Sequence, residues 1–450
     1  MTNMIAGMDQ MTTPFADLQQ RARQQLDLAP SWLRPMREAG VARFVDLGFP
    51  TRQNEDWRFT NVDPIAGTHF ELPPDGQTTL DAGALAAHTM PALGGPVIVY
   101  LNGRRAPRLD LKNALPPDVT VVPLSEAIES HRDLVEKHLA DPRASREDAF
   151  GALNAAFCSD GLFVHVPAGT AVERPIHVLN VSIPGAAPIM THPRLVIVCE
   201  PDSRVSVVEH YVSHGDGPYL TNAITQIEAA RGAVVEHYLI EEESRAAFNV
   251  SSLLAHQQAN SDVASHTVLL GGGLVRNNIR AVLDGERCDC LINGLFVGSG
   301  TQHLDNFMRV EHAAPRCDSR QFYKGILDDR AHGVFSGRIH VDKVAQKTDA
   351  KQTNANLLLS DGAQIDSKPQ LEIYADDVKC THGATIGQID EDAVFYLRTR
   401  GIHEAAARAL VIYAFAAESF ERMRIEAVRD ALVQKLLARL PQGDLLASIL

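Results

Sequence analysis

Short runs of apolar residues with strand-like spacing dominate the sequence between about residues 162 and 398, and no other feature constrains the fold as strongly. Examples are Arg194–Cys199, 204–212 and 337–341, which are separated by stretches rich in Gly, Asp, Asn and Ser. Apolar residues that alternate with polar ones have the side-chain period of a β-strand, and the separating residues favour turns. The middle of the chain is therefore predicted to consist of many short strands.

A weak internal repeat indicates how these strands are arranged. Glu209-His210-Tyr211 recurs as Glu236-His237-Tyr238, an offset of 27 residues in similar surroundings. This offset suits one turn of a stacked β-solenoid. Polar runs such as 347–356, which lead directly into three leucines, also suit parallel strands stacked around a narrow apolar interior. A β-sandwich fits the pattern nearly as well, so the residues alone leave both folds open.

The flanking segments have a different character. Apolar residues recur at helical spacing between about residues 13 and 48, for example at Leu18, Ala22 and Leu26. A mixed segment follows, with a strand predicted at Val97–Leu101 and a helix over residues 124–140. We therefore divide the chain into an N-terminal helical and α/β region (1–160), a β core (161–400) and a C-terminal helical domain (401–450).

The C-terminal domain carries a near-continuous apolar stripe at helical spacing, formed by Ala405, Ala409, Ile412, Ala416, Phe420, Met423, Ala427, Leu432, Leu436 and Leu440. Two interpretations stay open. The stripe packs on the end of the β core and covers its last turn, as solenoids require, or it forms a groove for a partner.

One strand-like segment, residues 376–385, contains a thiol and an imidazole two positions apart. In a strand, Cys380 and His382 share one face, roughly 6.5–7 Å apart. Two such ligands could hold iron or sulfur species. A buried structural cysteine beside a hydrogen-bonded histidine explains the same spacing.

Composition excludes several classes of function. A net charge of −14 argues against nucleic-acid binding and against binding to anionic membranes. No apolar run approaches the roughly 18 residues of a membrane span, and the N-terminus lacks a basic segment followed by an apolar one, so a cytoplasmic protein is expected. Six scattered cysteines are too few for a disulfide framework.

Common catalytic motifs are missing from the sequence. No GxxxxGK phosphate-binding loop and no GxSxG nucleophile motif is present, and the HExxH-like start at His403 ends in alanine. If ATP drives the function of this chain, a partner is expected to supply the nucleotide site.

A family resemblance adds to this interpretation. Residues 379–387 and 395–402 closely resemble the C-terminal signature of the SufB/SufD family, the scaffold components of bacterial iron–sulfur cluster assembly. The resemblance extends over most of the chain, through residues 54–60, 148–156, 161–167 and 175–177. Within the family the chain resembles SufD more than SufB, because Gly383 stands where SufB members carry glutamate and because SufB chains are longer.

The resemblance implies a mainly β protein with a parallel β-helix core between an N-terminal helical and mixed region and a C-terminal helical region, and it favours the solenoid over the sandwich. It also implies an assembly scaffold rather than an enzyme. The chain would pair with SufB as a heterodimer and with the ATPase SufC, and a homodimer of the chain alone stays an open possibility.

The resemblance also assigns roles to individual residues. Cys380 and His382 would lie at the SufB interface and hold iron or a nascent cluster transiently, with no stably bound cofactor. The C-terminal helix would contact SufC through Tyr413, Phe415, Phe420 and Met423. Three alternatives stay open: a structural partner of SufB that never contacts iron, a SufB-like scaffold and, more remotely, a β-helix enzyme acting on acidic polysaccharides.

Overall fold

The computed structural model describes residue 31 and residues 33–73, 80–106, 115–139, 148–158 and 160–440. The helices are α1 Arg34–Leu47, α2 Asp63–Ala66, α3 Ala82–Ala86, α4 Leu124–Ser130, α5 Arg132–Leu139, α6 Ala149–Phe157, α7 Glu391–Thr399, α8 Glu404–Phe420 and α9 Glu426–Leu437. The first strands are β1 Val97–Leu101, β2 Arg104–Arg105, β3 Thr120–Pro123, β4 Leu162–Val166, β5 Ile176–Ser182, β6 Ile189–Thr191, β7 Arg194–Cys199, β8 Arg204–Ser213, β9 Tyr219–Ala229 and β10 Val234–Glu242. The remaining strands are β11 Ala247–Gln257, β12 Asp262–Leu269, β13 Leu274–Leu283, β14 Asp289–Gly298, β15 His303–His312, β16 Asp318–Leu327, β17 His332–Val341, β18 Asp349–Leu358, β19 Gln364–Ile373 and β20 Lys379–Gly387.

The described N-terminal residues form short helices and strands beside the core, and they reach as far as β19, where Lys368 donates to Glu55 at 2.8 Å. Helix α1 packs against α6 so closely that a Cβ atom at Gly40 would lie 2.6 Å from the backbone nitrogen of Ala156, which requires glycine at this crossing. The helix predicted over 124–140 is in fact two helices, α4 and α5, on either side of His131. The predicted helical positions Leu18, Ala22 and Leu26 lie outside the described residues.

The core is a parallel β-solenoid of about eight turns, which confirms the fold expected from the family and rejects the sandwich. From β7 onward, successive strands belong mostly to alternate sheets. One sheet has the order β2-β1-β5-β8-β10-β12-β14-β16-β18-β20, and the other has the order β19-β17-β15-β13-β11-β9-β7-β4-β3. Neighbouring strands are parallel except for the pairs β1–β2 and β3–β4 near the N-terminal end.

The strand register corrects the repeat inferred from the sequence. Val207 pairs with His237 and Glu209 with Leu239, so equivalent positions on β8 and β10 are 30 residues apart, whereas the two Glu-His-Tyr motifs are 27 apart. The motifs are therefore displaced by three residues in the register, and a displacement by an odd number of residues moves a side chain to the opposite face of the sheet. Accordingly Tyr211 belongs to the interior core, whereas Tyr238 packs on the outside beneath the C-terminal helices.

Sharp corners separate the two sheets, and most turns use a residue in the left-handed conformation at the same corner. These residues have φ between 59° and 72°, and they are Asp202, Gly232, Asn260, Arg287, Arg316 and Lys347. Glycine, asparagine and aspartate tolerate this region, whereas the arginines and the lysine adopt it at a cost of about 1 kcal/mol each. The corner therefore follows from the stacking of turns and is only partly marked in the sequence.

The C-terminal helices pack across the outer face of a sheet, not on the end of the solenoid. Residues of the predicted apolar stripe, including Ile412, Ala416 and Leu432, share a cluster with Tyr238 and Leu295 of strands β10 and β14. The expectation that the stripe covers the last turn is therefore wrong. The stripe is buried against strands from β8 to β18, and strand β20 of the last turn stays exposed.

The described residues include no helix that is long and apolar enough to cross a membrane.

Candidate functional site at the open end of the solenoid

The last turn of the solenoid presents two unpaired sheet edges. Strand β19 pairs with β17 only, and strand β20 pairs with β18 only. Every residue of β20 except Cys380 is exposed, and β19 is half-buried along most of its length. Free backbone N–H and C=O groups on a long edge strand are a template for pairing with another strand. This end of the molecule is therefore a candidate interaction surface.

Cys380 and His382 lie on β20, which confirms the predicted strand and the shared face. The register pairs Cys380 with Ala350 and His382 with Gln352. Because Ala350 and Gln352 are buried, both side chains of β20 are on the face that continues the interior of the solenoid. Cys380 and His382 therefore lie at the open mouth of the interior.

The two side chains have different surroundings. The thiol of Cys380 is half-buried against the apolar cluster formed by Ile339, Val341, Ala345, Ala350 and Ala375. This burial raises the pKa of the Cys380 thiol above its ordinary value, because desolvation disfavours the thiolate. His382 is exposed, and among the described residues it makes no hydrogen bond or ion pair. The expected pairing of a buried cysteine with a hydrogen-bonded histidine is therefore not seen for His382.

A row of buried amides lies behind His382, and sequence reasoning missed it. Gln321, Gln352 and His382 occupy the same register position on β16, β18 and β20. Gln352 Nε2 donates to Gln321 Oε1 at 2.5 Å, whereas Gln321 Nε2 and Gln352 Oε1 have no hydrogen-bond partner among the described residues. Buried amides with free donors and acceptors can bind water or a polar group that enters from the open end.

The described residues alone do not form a metal site at this end. They contain no group of three or more His, Cys, Asp or Glu side chains that could hold a metal ion. Cys380 and His382 are two side chains of ligand type, whereas tetrahedral iron or zinc sites use four ligands. Any metal or cluster held here needs ligands from another molecule.

Exposed apolar side chains are concentrated in the part of the chain that forms the open end, between residues 373 and 396. Five of the eight large hydrophobic residues that are exposed in the described parts of the chain lie on the last two strands, directly after β19 or on α7, the helix that follows β20: Ile373, Tyr374, Ile386, Phe395 and Tyr396. Phe395 and Tyr396, on α7, are 65% and 57% exposed. A cluster of this kind on a soluble surface marks an interaction site.

The four residues expected to contact SufC have different environments. Phe420 and Met423 are 3% and 1% exposed and lie in the apolar cluster between the C-terminal helices and the sheet. Tyr413 and Phe415 are half-buried. The Phe415 ring lies 4.1 Å from Nζ of Lys324, which also donates to the Phe415 carbonyl oxygen at 2.8 Å. Only Tyr413 and Phe415 reach the surface in this conformation.

Comparisons with known proteins cover nearly the whole chain. Residues 182–415 match the family model described as the SufBD core domain of SUF-system FeS cluster assembly, and residues 9–178 match the model of the SufBD N-terminal region. The iron–sulfur cluster assembly protein SufD of Escherichia coli is 32% identical over 91% of this chain and 93% of its own length. A SufBD family protein of Synechocystis is 31% identical over 88% and 89%, and SufD of Bacillus subtilis is 27% identical over 90% and 93%.

Proposed function

Because the chain belongs to the SufBD family of the SUF iron–sulfur cluster assembly system, we propose that it acts as the SufD-type subunit of the assembly scaffold. In this role it pairs with SufB and with the ATPase SufC, and the complex builds or loads a nascent cluster. The cluster is the product of the assembly and is handed on, so this chain holds it only transiently.

The open end of the solenoid is the observation that carries this proposal. Strands β19 and β20 are long, unpaired edges of the two sheets, and exposed apolar side chains lie on them or on the segments that follow them. A second solenoid with a similar end can continue both sheets at once through main-chain hydrogen bonds. The apolar surround supplies burial to such a contact. SufB, as a member of the same family, is the partner that we propose for this end.

Cys380 and His382 support a role for this contact in cluster assembly. Both face the mouth of the interior, where a partner solenoid would enclose them. We propose that they supply two ligands to iron or to the nascent cluster and that SufB supplies the others. Since the pKa of the Cys380 thiol is raised, the thiol is protonated in the free subunit, and metal binding displaces that proton. A thiolate binds iron strongly, and an imidazole gives a more labile second ligand.

SufC is proposed to dock on the C-terminal helices. The accessible residues here are the half-buried Tyr413 and Phe415 on the flanks of α8, Glu418 and, just beyond the helix, Arg422. Phe420 and Met423 support this surface from beneath, because they hold the helix on the sheet. The chain contains no phosphate-binding loop motif, so SufC supplies the nucleotide site.

Co-expression with SufB and SufC from the same organism tests the assignment. The complex is purified through a tag on this chain and weighed by native mass spectrometry. We expect a mass that corresponds to one SufB, one copy of this chain and two SufC. If this chain co-purifies with neither protein, the SufD-type assignment is wrong, and the family signature then marks a shared fold only.

A further inference from the structure

Two buried thiols, those of Cys288 and Cys317, lie side by side at one corner of the solenoid. Each cysteine directly precedes a strand, β14 or β16, and these strands pair in register from Asp289 and Asp318 onward. The Asp318 N–H donates to the Cys288 carbonyl oxygen at 2.9 Å, so the two backbones are still adjacent at the cysteines. Neighbouring strands are about 4.8 Å apart, which lies within the range of Cα separations that a disulfide spans.

The two sulfur atoms are directed at the same acceptor. Cys288 Sγ and Cys317 Sγ each lie 3.1 Å from the carbonyl oxygen of Gly285, in donor geometry. The sulfur of Cys288 also lies 3.1 Å from the carbonyl oxygen of Gln258. Two sulfur atoms held against one oxygen are close neighbours.

Other turns of the solenoid show what a purely structural side chain does at this corner position. Three of them carry a hydroxyl there, which donates to the carbonyl oxygen three residues earlier at 2.6–2.9 Å: Ser203, Ser261 and Thr348. The Cys288 thiol follows this pattern with Gly285. The Cys317 thiol instead donates across to Gly285, in the preceding turn. The Cys317 side chain is therefore turned towards Cys288, and the structural pattern of the corner does not explain this orientation.

The contact makes the two thiols unequal. A hydrogen bond from the Cys317 thiol lowers the pKa of Cys288 below its ordinary value, because it stabilises the thiolate more than burial disfavours it. The same hydrogen bond raises the pKa of Cys317, which keeps its proton. Cys288 is therefore the nucleophilic sulfur of the pair, and Cys317 is placed to react second.

The pair lies directly beneath the surface. Cys288 and Cys317 are 1% and 0% exposed, whereas Arg287 and Arg316, which precede them at the corner, are exposed. Both arginines have a positive φ, 60° and 62°, a conformation that costs an L-residue about 1 kcal/mol. A small oxidant needs only a local opening of this corner to reach the sulfur atoms.

We propose that Cys288 and Cys317 form a reversible disulfide when the protein meets hydrogen peroxide. The Cys288 thiolate attacks one peroxide oxygen, the O–O bond breaks, and Cys288 becomes a sulfenic acid. The hydroxide that leaves takes up the proton that Cys288 had lost. The Cys317 sulfur then attacks the Cys288 sulfur, and the sulfenic oxygen leaves as water with the Cys317 proton.

The net reaction converts two thiols and one peroxide molecule into one disulfide and two molecules of water. A thiol reductant reverses it by exchange. The bridge would join two adjacent turns of the solenoid at their corner. The inference is independent of the proposed function, because the reaction needs neither iron nor a partner subunit.

Peptide mapping by mass spectrometry without reduction tests the proposal on the full-length chain before and after peroxide treatment. We expect the treated protein to yield a peptide pair linked through Cys288 and Cys317, and we expect dithiothreitol to remove the link. In Cys317→Ser the reaction should stop at the sulfenic acid of Cys288, which dimedone traps. Serine suits the position because Ser261 occupies it in another turn, and circular dichroism checks folding.

Cys290→Ala is the matched control, because Cys290 is a buried cysteine two residues from Cys288 and Ala350 occupies its register position on β18. This variant is expected to form the disulfide like the wild type. The peroxide concentration is raised until the half-buried Cys380 is oxidised, which shows that oxidant was sufficient. Absence of the Cys288–Cys317 link at that point, or a link between other cysteines in its place, would overturn the proposal. So would a dimedone adduct in folded Cys317→Ser that is absent from Cys288.

Discussion

At the scale of single residues, Cys380 and His382 carry the proposed chemistry, and their surroundings are the basis for proposing a ligand role. Cys380 is half-buried against small apolar side chains, whereas His382 is exposed and makes no hydrogen bond among the described residues. Neither side chain contributes much to the stability of the free subunit. Truncation of a half-buried or exposed polar group usually costs little.

We therefore expect Cys380→Ser and His382→Ala to leave folding and SufB binding intact but to lower cluster assembly. The free energy of unfolding of each variant should lie within about 1 kcal/mol of the wild-type value. Iron, a sulfur source and ATP are added to the purified complex, and cluster formation is measured by the increase in visible absorbance. His214→Ala is the control, since His214 is an exposed histidine on the turn after β8.

Two results would contradict the ligand role of this pair. Loss of SufB binding in either variant would indicate a structural role, and unchanged cluster formation in both variants would indicate that neither side chain contacts iron.

At the scale of secondary-structure elements, the outer edge of β20 is the feature with functional consequences. The Lys379 N–H donates to the Thr348 carbonyl oxygen at 2.8 Å, on the side of β18. Because alternate residues of a strand direct their N–H groups to opposite sides, those of Cys380, His382 and Ala384 point away from β18. These are the donors that a strand of a partner would use.

Ala384→Pro removes one of these donors without removing a hydrogen bond to β18. Proline is tolerated on edge strands where its nitrogen faces away from the sheet. We expect the variant to fold and to lose most of its affinity for SufB, as measured by co-purification and by titration of the separate subunits. Ala384→Ser, which keeps the N–H group, is expected to bind like the wild type. Wild-type affinity in the proline variant would show that β20 does not pair with a partner strand.

At the scale of the whole molecule, the two ends of the solenoid differ. The N-terminal end finishes on short antiparallel strands, β2 with Arg104 and Arg105 and β3 with Pro123 at its end. Short, charged or proline-ended strands discourage further pairing. The C-terminal end has long edges instead. A molecule in which only one end can pair with another copy forms dimers, whereas two such ends would allow open-ended stacking.

The isolated chain is therefore expected to reach dimers at high concentration and nothing larger. Light scattering coupled to size-exclusion chromatography, over a range of loading concentrations, measures the mass of the largest species. Ala384→Pro should shift the equilibrium towards the monomer, and Ala384→Ser should not. Trimers or longer assemblies would show that the N-terminal end also associates.

Sequence reasoning predicted the local features of this protein because they depend on nearby residues. The strand at Val97–Leu101, the shared face of Cys380 and His382 and the strand-rich core all follow from residue type and spacing. The residues alone left the solenoid and the sandwich open. The family resemblance decided between them, because motifs spread over the chain are more specific than a strand period.

Stacking of the turns decided what the sequence left open. The number of residues per turn varies, so a fixed sequence repeat does not give the strand register. The two Glu-His-Tyr motifs are displaced by three residues from paired positions on β8 and β10. That Arg280, Arg309 and Arg338 lie at the same position on the neighbouring strands β13, β15 and β17 becomes visible only with that register. Likewise, a helical stripe shows that a helix is amphipathic but not which surface covers it. The sequence by itself thus determined the strands, the helices and the family, whereas the tertiary structure decided which faces meet, because those contacts join residues that are distant along the chain.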